Sequence, residues 1–220
     1  VRPTVLVTGF EPFGGDPVNS SWEAVRLLAE LWDADVEGAD LATAVLPVTF
    51  GDAPTALATA VAEARPSVVV AVGLAGGAAD VRLERVAINV ADARIPDNGG
   101  AQPVDEPLDP QGPAAAFTGL PVKAALAALR EAGIPAVVSN TAGTYVCNAT
   151  FYALMRAAEG ADGVLAGFVH VPRTAEEEAD AAAALPVATL AEALRIVVRT
   201  TLDVSAGRLT EPALAAGAEH

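Results

Sequence analysis

SVVVAVG, residues Ser67 to Gly73, is a near-continuous β-branched run with no polar position left to face water. A strand wetted on one side alternates polar and apolar residues, so a run like this marks a strand covered on both faces, as parallel sheets between helices are. Upstream, Thr4 to Thr8 is a short apolar strand and GFEPFGGDPVN (Gly9 to Asn19) is a Gly- and Pro-dense loop. Ser20 with Glu23 reads as a capping box, and Trp22, Val25, Leu28 and Leu31 follow at helical spacing. Leu41 to Val48 is a second strand, and Asp52 reads as the N-cap of a helix that runs to about Ala64 and stops before Pro66. Downstream come a looser strand pair over Leu83 to Ile95, a long loop from Pro96 to Pro113, and a helix from Leu120 to Ala132 closed by Gly133. A strand (Ala136 to Asn140), a helix (Cys147 to Glu159), a strand (Val164 to Val171) and a helix (Leu190 to Leu202) complete the pattern. Alternation of this kind predicts one three-layer α/β/α domain over residues 1–220 with a mostly parallel twisted sheet, and the length suits a single large core.

Charge narrows the partners. With 13 basic and 28 acidic residues the chain carries a net charge of −15, which repels nucleic acid and anionic lipid. AEEEAD (Ala175 to Asp180) is expected to be a solvated helix face. The longest apolar stretches, Val68 to Ala79 and Gly163 to Val171, are too short and glycine-rich to span a bilayer. No charged segment followed by an apolar one opens the sequence, so the expected compartment is the cytoplasm, with no membrane partner.

The rarest residues are the most informative. There is one Cys, and of the two His one is the last residue. A Cys/His zinc site would have to borrow carboxylates, and no metal is expected. If the protein is a thiol enzyme, its players are nearly forced: Cys147 and His170. In SNTAGTYVCNATFYALM (Ser139 to Met155) a strand ends, a glycine-containing loop follows, and Cys147 falls where a helix begins. The partial positive charge and free N–H groups of a helix N-terminus favour a thiolate, and sites of α/β sheets lie beyond strand carboxyl ends. A lone Cys is more often a small buried hydrophobe, and a lone His more often a core residue bonded to backbone. That both reach the same rim, His170 from the end of GFVHVP (Gly167 to Pro172), shifts the balance toward a Cys–His pair. Asp80, Glu84 and Asp92 are the candidates to orient the imidazole, and spacing does not choose among them.

Two glycine clusters need weighing. GLAGG (Gly73 to Gly77) follows a strand but lacks the G-x-G-x-x-G pattern, and no G-K-[ST] occurs, so it reads as close backbone approach to a ligand. Phe10 and Phe13, in the Gly9 to Gly15 segment, either pack beneath their loop or wall a small apolar pocket.

Taken together, TGFEPFGGDPVNSSWEAV, ERVAINVADARIPDN, SNTAGTYVCN and GFVHVP, in this order and over nearly the full chain, resemble the pyroglutamyl peptidase I (pyrrolidone-carboxylate peptidase) family of cysteine peptidases. The resemblance implies removal of N-terminal pyroglutamate from small peptides through a Cys–His–Glu triad and an acyl-enzyme, without a cofactor, by a homo-oligomer (dimer or tetramer). It carries the nucleophile onto Cys147, the base onto His170 and the orienting acid onto Glu84. It carries the pyroglutamate pocket onto Phe10, Phe13 and Tyr145, with Asn19 and the backbone around Leu74 as hydrogen-bond partners of the lactam and Arg94 as an aid to the oxyanion. The chain departs from the family pattern at Leu74, where Gln is common, at Ala78, and after His170, where VPRTAEEEAD lacks a second proline.

Three other functions compete. Another cysteine amidase or acyltransferase could use the same triad. A nucleoside phosphorylase has a similar fold but needs an anion site of Arg or Lys, which the glycine clusters lack. A non-catalytic binding protein would keep the fold without a reactive thiol.

Overall fold

A computed structural model describes residues 2–161, 163–175 and 184–217. The run at Ser67 becomes strand β3 (Val68–Leu74), and Val68 to Val72 are all fully buried. Successive side chains of a strand point to opposite faces. Accordingly Val68, Val70 and Val72 enter one apolar cluster, and Val69 and Ala71 enter another. That two-sided burial is why the run shows no polar alternation. Around it lie β1 (Thr4–Phe10), β2 (Asp40–Leu46), β4 (Val81–Glu84), β7 (Ala136–Ser139) and β8 (Leu165–Val171), in the order β2-β1-β3-β8-β4-β7. Helices α1 (Ser20–Leu31), α4 (Val122–Glu131) and α6 (Val187–Ser205) pack together on one face, and α3 (Asp52–Ala64) and α5 (Val146–Ala158) on the other. The expected mostly parallel α/β/α domain is the observed architecture.

One pairing is antiparallel. β4 runs against β8 while remaining parallel to β7, so the last two strands point opposite to the other four. The expected strand pair in Leu83 to Ile95 is corrected too. Its first strand, β4, joins the main sheet, whereas β5 (Val86–Ile88) leaves it to pair with β6 (Ala115–Phe117) in a separate two-stranded sheet. Helix α2 (Ala34–Glu37) has no buried residue, hence no periodicity to read, and forms because Asp33 caps its first N–H groups and Gly38 closes it at φ 71°.

The helix starts also differ by a residue. Asn19, not Ser20, caps α1: its Oδ1 accepts from Ser21 N. Ser20 is instead buried, with its hydroxyl accepting from Thr174 N. At α3 the N-cap is Gly51, which has no side chain to cap with, and Asp52 N is bonded instead to Thr49 Oγ1 at 3.1 Å, which also donates to the Asp52 carboxylate. Beyond Ala175, the acidic run AEEEAD lies outside the described residues. Among the described residues no helix is long and apolar enough to cross a membrane.

Candidate active site

Three elements deliver three side chains to one point. His170 is the penultimate residue of β8 and lies opposite Gly73 of β3. Glu84 ends β4, where its direct partner across the antiparallel pair is Phe168. His170, two residues on, lies on the same face as Phe168, so Glu84 reaches it diagonally, a span suited to a side chain longer than Asp. Its Oε1 lies 2.8 Å from His170 Nδ1, and both residues are buried. Nδ1 is bonded to the carboxylate, which leaves Nε2 for the Cys147 thiol, a neighbour close enough to act on the imidazole's charge. Burial pulls the imidazole pKa down, but the neighbouring Cys147 thiolate and the Glu84 carboxylate outweigh it and raise it to about 9. The imidazole therefore keeps its proton through neutral pH.

Cys147 is the second residue of α5, where the N–H groups of the first turn have no acceptor within the helix. It comes to the carboxyl ends of β3 and β8, not of the strand that precedes it. β7 runs the other way, so residues 140–145 must return along the sheet before the helix begins. The thiol then lies directly over β3. A Cβ on Gly73 would sit 2.8 Å from Cys147 Sγ and 2.9 Å from Phe168 Cζ, so only glycine lets the helix approach. Neither other acid comes to the imidazole. Asp80 accepts from Arg82 Nε at 3.1 Å, and exposed Asp92 is tied through its backbone to Thr144.

A cavity of about 250 Å³ opens beside Cys147. Phe10, Phe13, Asn19, Leu74 and Tyr145 all line it, together with Val48, Val146 and Arg173. Tyr145 is held between Phe13 and Phe50, at ring-centre distances of 5.5 and 5.3 Å. Its hydroxyl donates to Pro96 O at 2.9 Å. Burial first, then the charges of Asp97 and Cys147, push that phenol up to about 12, so it stays a neutral donor. Asn19 lines the cavity, but its amide is committed to the loop: Oδ1 accepts from Ser21 N and Oγ, and Nδ2 donates to Glu11 O. Arg94 is exposed and is not among the residues lining the cavity.

Three contributors escaped the sequence reading. Asn148, fully buried beside the nucleophile, accepts from Ile88 N and donates to the carbonyls of Ile88 and Val90. It thereby locks the start of α5 to the segment that leaves Glu84. Phe50 backs Tyr145 from the β2–α3 connection. Buried Asp97 accepts from Phe50 N at 2.8 Å and from Gly99 N and Ala101 N, stitching the long loop to the pocket. Only the position of Asn148 next to the lone Cys could have drawn attention to it.

Known proteins resemble this chain over the whole fold. Residues 3–204 match the family model described as pyroglutamyl peptidase. A pyrrolidone-carboxylate peptidase of Clavibacter michiganensis subsp. michiganensis is 52% identical over 210 residues, covering 93% of this chain and 97% of that one. One from Yersinia pestis is 48% identical over 203 residues, covering 91% and 93%. Among solved structures, pyroglutamyl peptidase I of Bacillus amyloliquefaciens superposes with a TM-score of 0.85 at 41% identity, covering 90% of this chain and 96% of that one. Pyrrolidone carboxyl peptidase of Thermococcus litoralis gives 0.90 at 32% identity, covering 97% and 99%. A match of this extent, on a chain whose lone Cys meets its one internal His beside an aromatic cavity, means that the chain belongs to the pyroglutamyl peptidase family.

Proposed function

We infer that the protein is a pyroglutamyl peptidase that removes N-terminal pyroglutamate from peptides, with Cys147 as nucleophile, His170 as general acid and base, and Glu84 as the group that orients it. The observation that carries this reading is the buried Glu84–His170 hydrogen bond set beside Cys147, the thiol that lines the aromatic cavity. The Cys147 thiolate attacks the pyroglutamyl carbonyl, and the oxyanion that forms meets the unpaired N–H groups at the start of α5. His170, as imidazolium, gives its proton to the leaving amine as the C–N bond breaks, leaving a thioester. Neutral His170 then takes a proton from water, whose oxygen attacks the thioester, and pyroglutamate and the thiolate are released.

The lactam carries no charge, which suits walls of Phe10, Phe13, Leu74 and Tyr145. No cofactor enters these steps. The reading extends to a cytoplasmic enzyme working as a homo-oligomer on small peptides, which light scattering of the purified protein checks. The direct test is hydrolysis of a pyroglutamyl aminocoumarin amide before and after iodoacetamide. Cleavage that iodoacetamide abolishes is expected. Activity on unrelated acyl amides with none on the pyroglutamyl one would replace this reading with that of another cysteine amidase.

A further inference from the structure

A second cavity, of about 360 Å³, adjoins the one beside Cys147. The two share Asp16, Val18 and Arg173, while Cys147 lines only the first. Arg173 Nη2 donates to Asp16 Oδ2 at 2.8 Å, so an ion pair partitions the two spaces. On the far side the wall is apolar at Pro17 and Val187 and acidic at Glu23.

The chemistry fixes which part of a peptide meets this partition. The leaving nitrogen must sit at His170 to receive its proton, and β8 ends one residue later at Val171, from which Pro172 leads to Arg173 on the wall of both cavities. The opposite side of the first cavity is closed by Tyr145 packed between Phe13 and Phe50. Building on the peptidase reading above, we propose that the second cavity seats the side chain of the residue following pyroglutamate and selects cationic over anionic side chains there. Its charges favour that sign. Glu23 shares Arg26 with Glu30, so Asp16, Glu23 and Glu30 face only Arg26 and Arg173 among the described residues. The whole chain adds a net charge of −15. A basic side chain finds surplus carboxylate, whereas an acidic one must compete with Asp16 for Arg173.

The test is a series of C-terminally amidated dipeptides, pyroglutamyl-Lys, pyroglutamyl-Leu and pyroglutamyl-Glu, with kcat/KM measured from released pyroglutamate. At low ionic strength the Lys:Glu ratio should be about 10, and it should shrink as salt screens these partly exposed charges. The ratio within one protein cancels any general loss of activity in a variant. Asp16→Asn, which removes one carboxylate that competes for Arg173, should bring the ratio to about 2 or below. Arg173→Gln should widen it. A ratio near 1 in the unmodified protein overturns the proposal, as does a ratio that neither substitution moves, since selectivity would then come from overall charge alone. Failure of the unmodified protein to cleave even a pyroglutamyl aminocoumarin amide would instead overturn the peptidase reading itself, and this proposal with it.

Discussion

At the scale of single residues the site is a proton-transfer chain, and each member has a separable signature. Cys147→Ala should leave a folded protein with no measurable hydrolysis, and Cys147→Ser almost none, because an alcohol is a far weaker nucleophile in a site arranged for a thiolate. Retained activity in a folded Cys147→Ala variant would exclude the mechanism. Glu84 acts through His170, so its loss should show in pH dependence as well as in rate. The imidazole pKa is raised to about 9, so the imidazolium that protonates the leaving amine persists through neutral pH and is lost as pH rises through about 9. Activity should therefore fall on an alkaline limb near that value, one that belongs to the coupled Cys–His pair. Glu84→Gln removes one of the causes that raise it, so the limb should move to lower pH. kcat should drop by roughly 100-fold or more, while Asp80→Asn and Asp92→Asn stay near the unmodified enzyme. An unmoved limb in Glu84→Gln, or a larger loss at Asp80 or Asp92, would reassign the third member. Cys147 and His170 were legible because they are so few; spacing could not choose among three acids, since that depends on strand direction and register, and Glu84 was reached through the family resemblance alone.

Secondary-structure elements matter here for how closely they approach one another. α5 presses its second residue onto β3, and Gly73 is the point of contact. Gly73→Ala must displace either the thiol or the Phe168 ring, which itself packs on Phe10, Phe151 and His170. Overpacking of this kind typically costs about 1–3 kcal/mol, and a shift of 1 Å at a reacting atom can cost on the order of 100-fold in rate. We expect a folded protein of lowered melting temperature whose kcat falls much further than its stability. Gly51→Ala, where a Cβ meets nothing within 4 Å, is the matched control. Equal kinetics for the two variants would mean that α5 is not held against β3 at this point. The elements that were legible are those with a buried stripe or a two-sided apolar run. Those that were not are short and partner-dependent: β6 has three residues, pairs with β5 alone among the described residues, and leaves Phe117 exposed. Likewise nothing within Ala136 to Ser139 states which way that strand runs; its direction is fixed by pairing with β4, far away in sequence.

Across the whole molecule the pocket is assembled from segments that are distant in the chain, which is why only part of it could be read in advance. Phe10 ends β1, Phe13 comes from the loop after it and Tyr145 from the start of α5, while Phe50 comes from the β2–α3 connection and backs Tyr145. Glu11, accepting from Val48 N and Asn98 Nδ2, and Asp97, accepting from Phe50 N, bind these segments to the loop that follows Ile95. The aromatic walls are thus held in place before any substrate arrives, which makes the slot selective by polarity as well as by shape. A pyroglutamyl ring is flat and uncharged, and its N–H and carbonyl need only a few hydrogen-bond partners. A prolyl ring has the same size but carries a protonated amine at neutral pH, a charge that Phe10, Phe13 and Leu74 cannot solvate. Pyroglutamyl amides should therefore be cleaved with kcat/KM at least about 100-fold above prolyl amides, a difference of roughly 2.7 kcal/mol in transition-state binding. Phe13→Ala should narrow the gap by weakening the pyroglutamyl substrate, because removing one wall also frees Tyr145 on that side. Comparable rates on the two amides in the unmodified enzyme would refute an apolar acyl slot and leave a cysteine amidase of broader specificity.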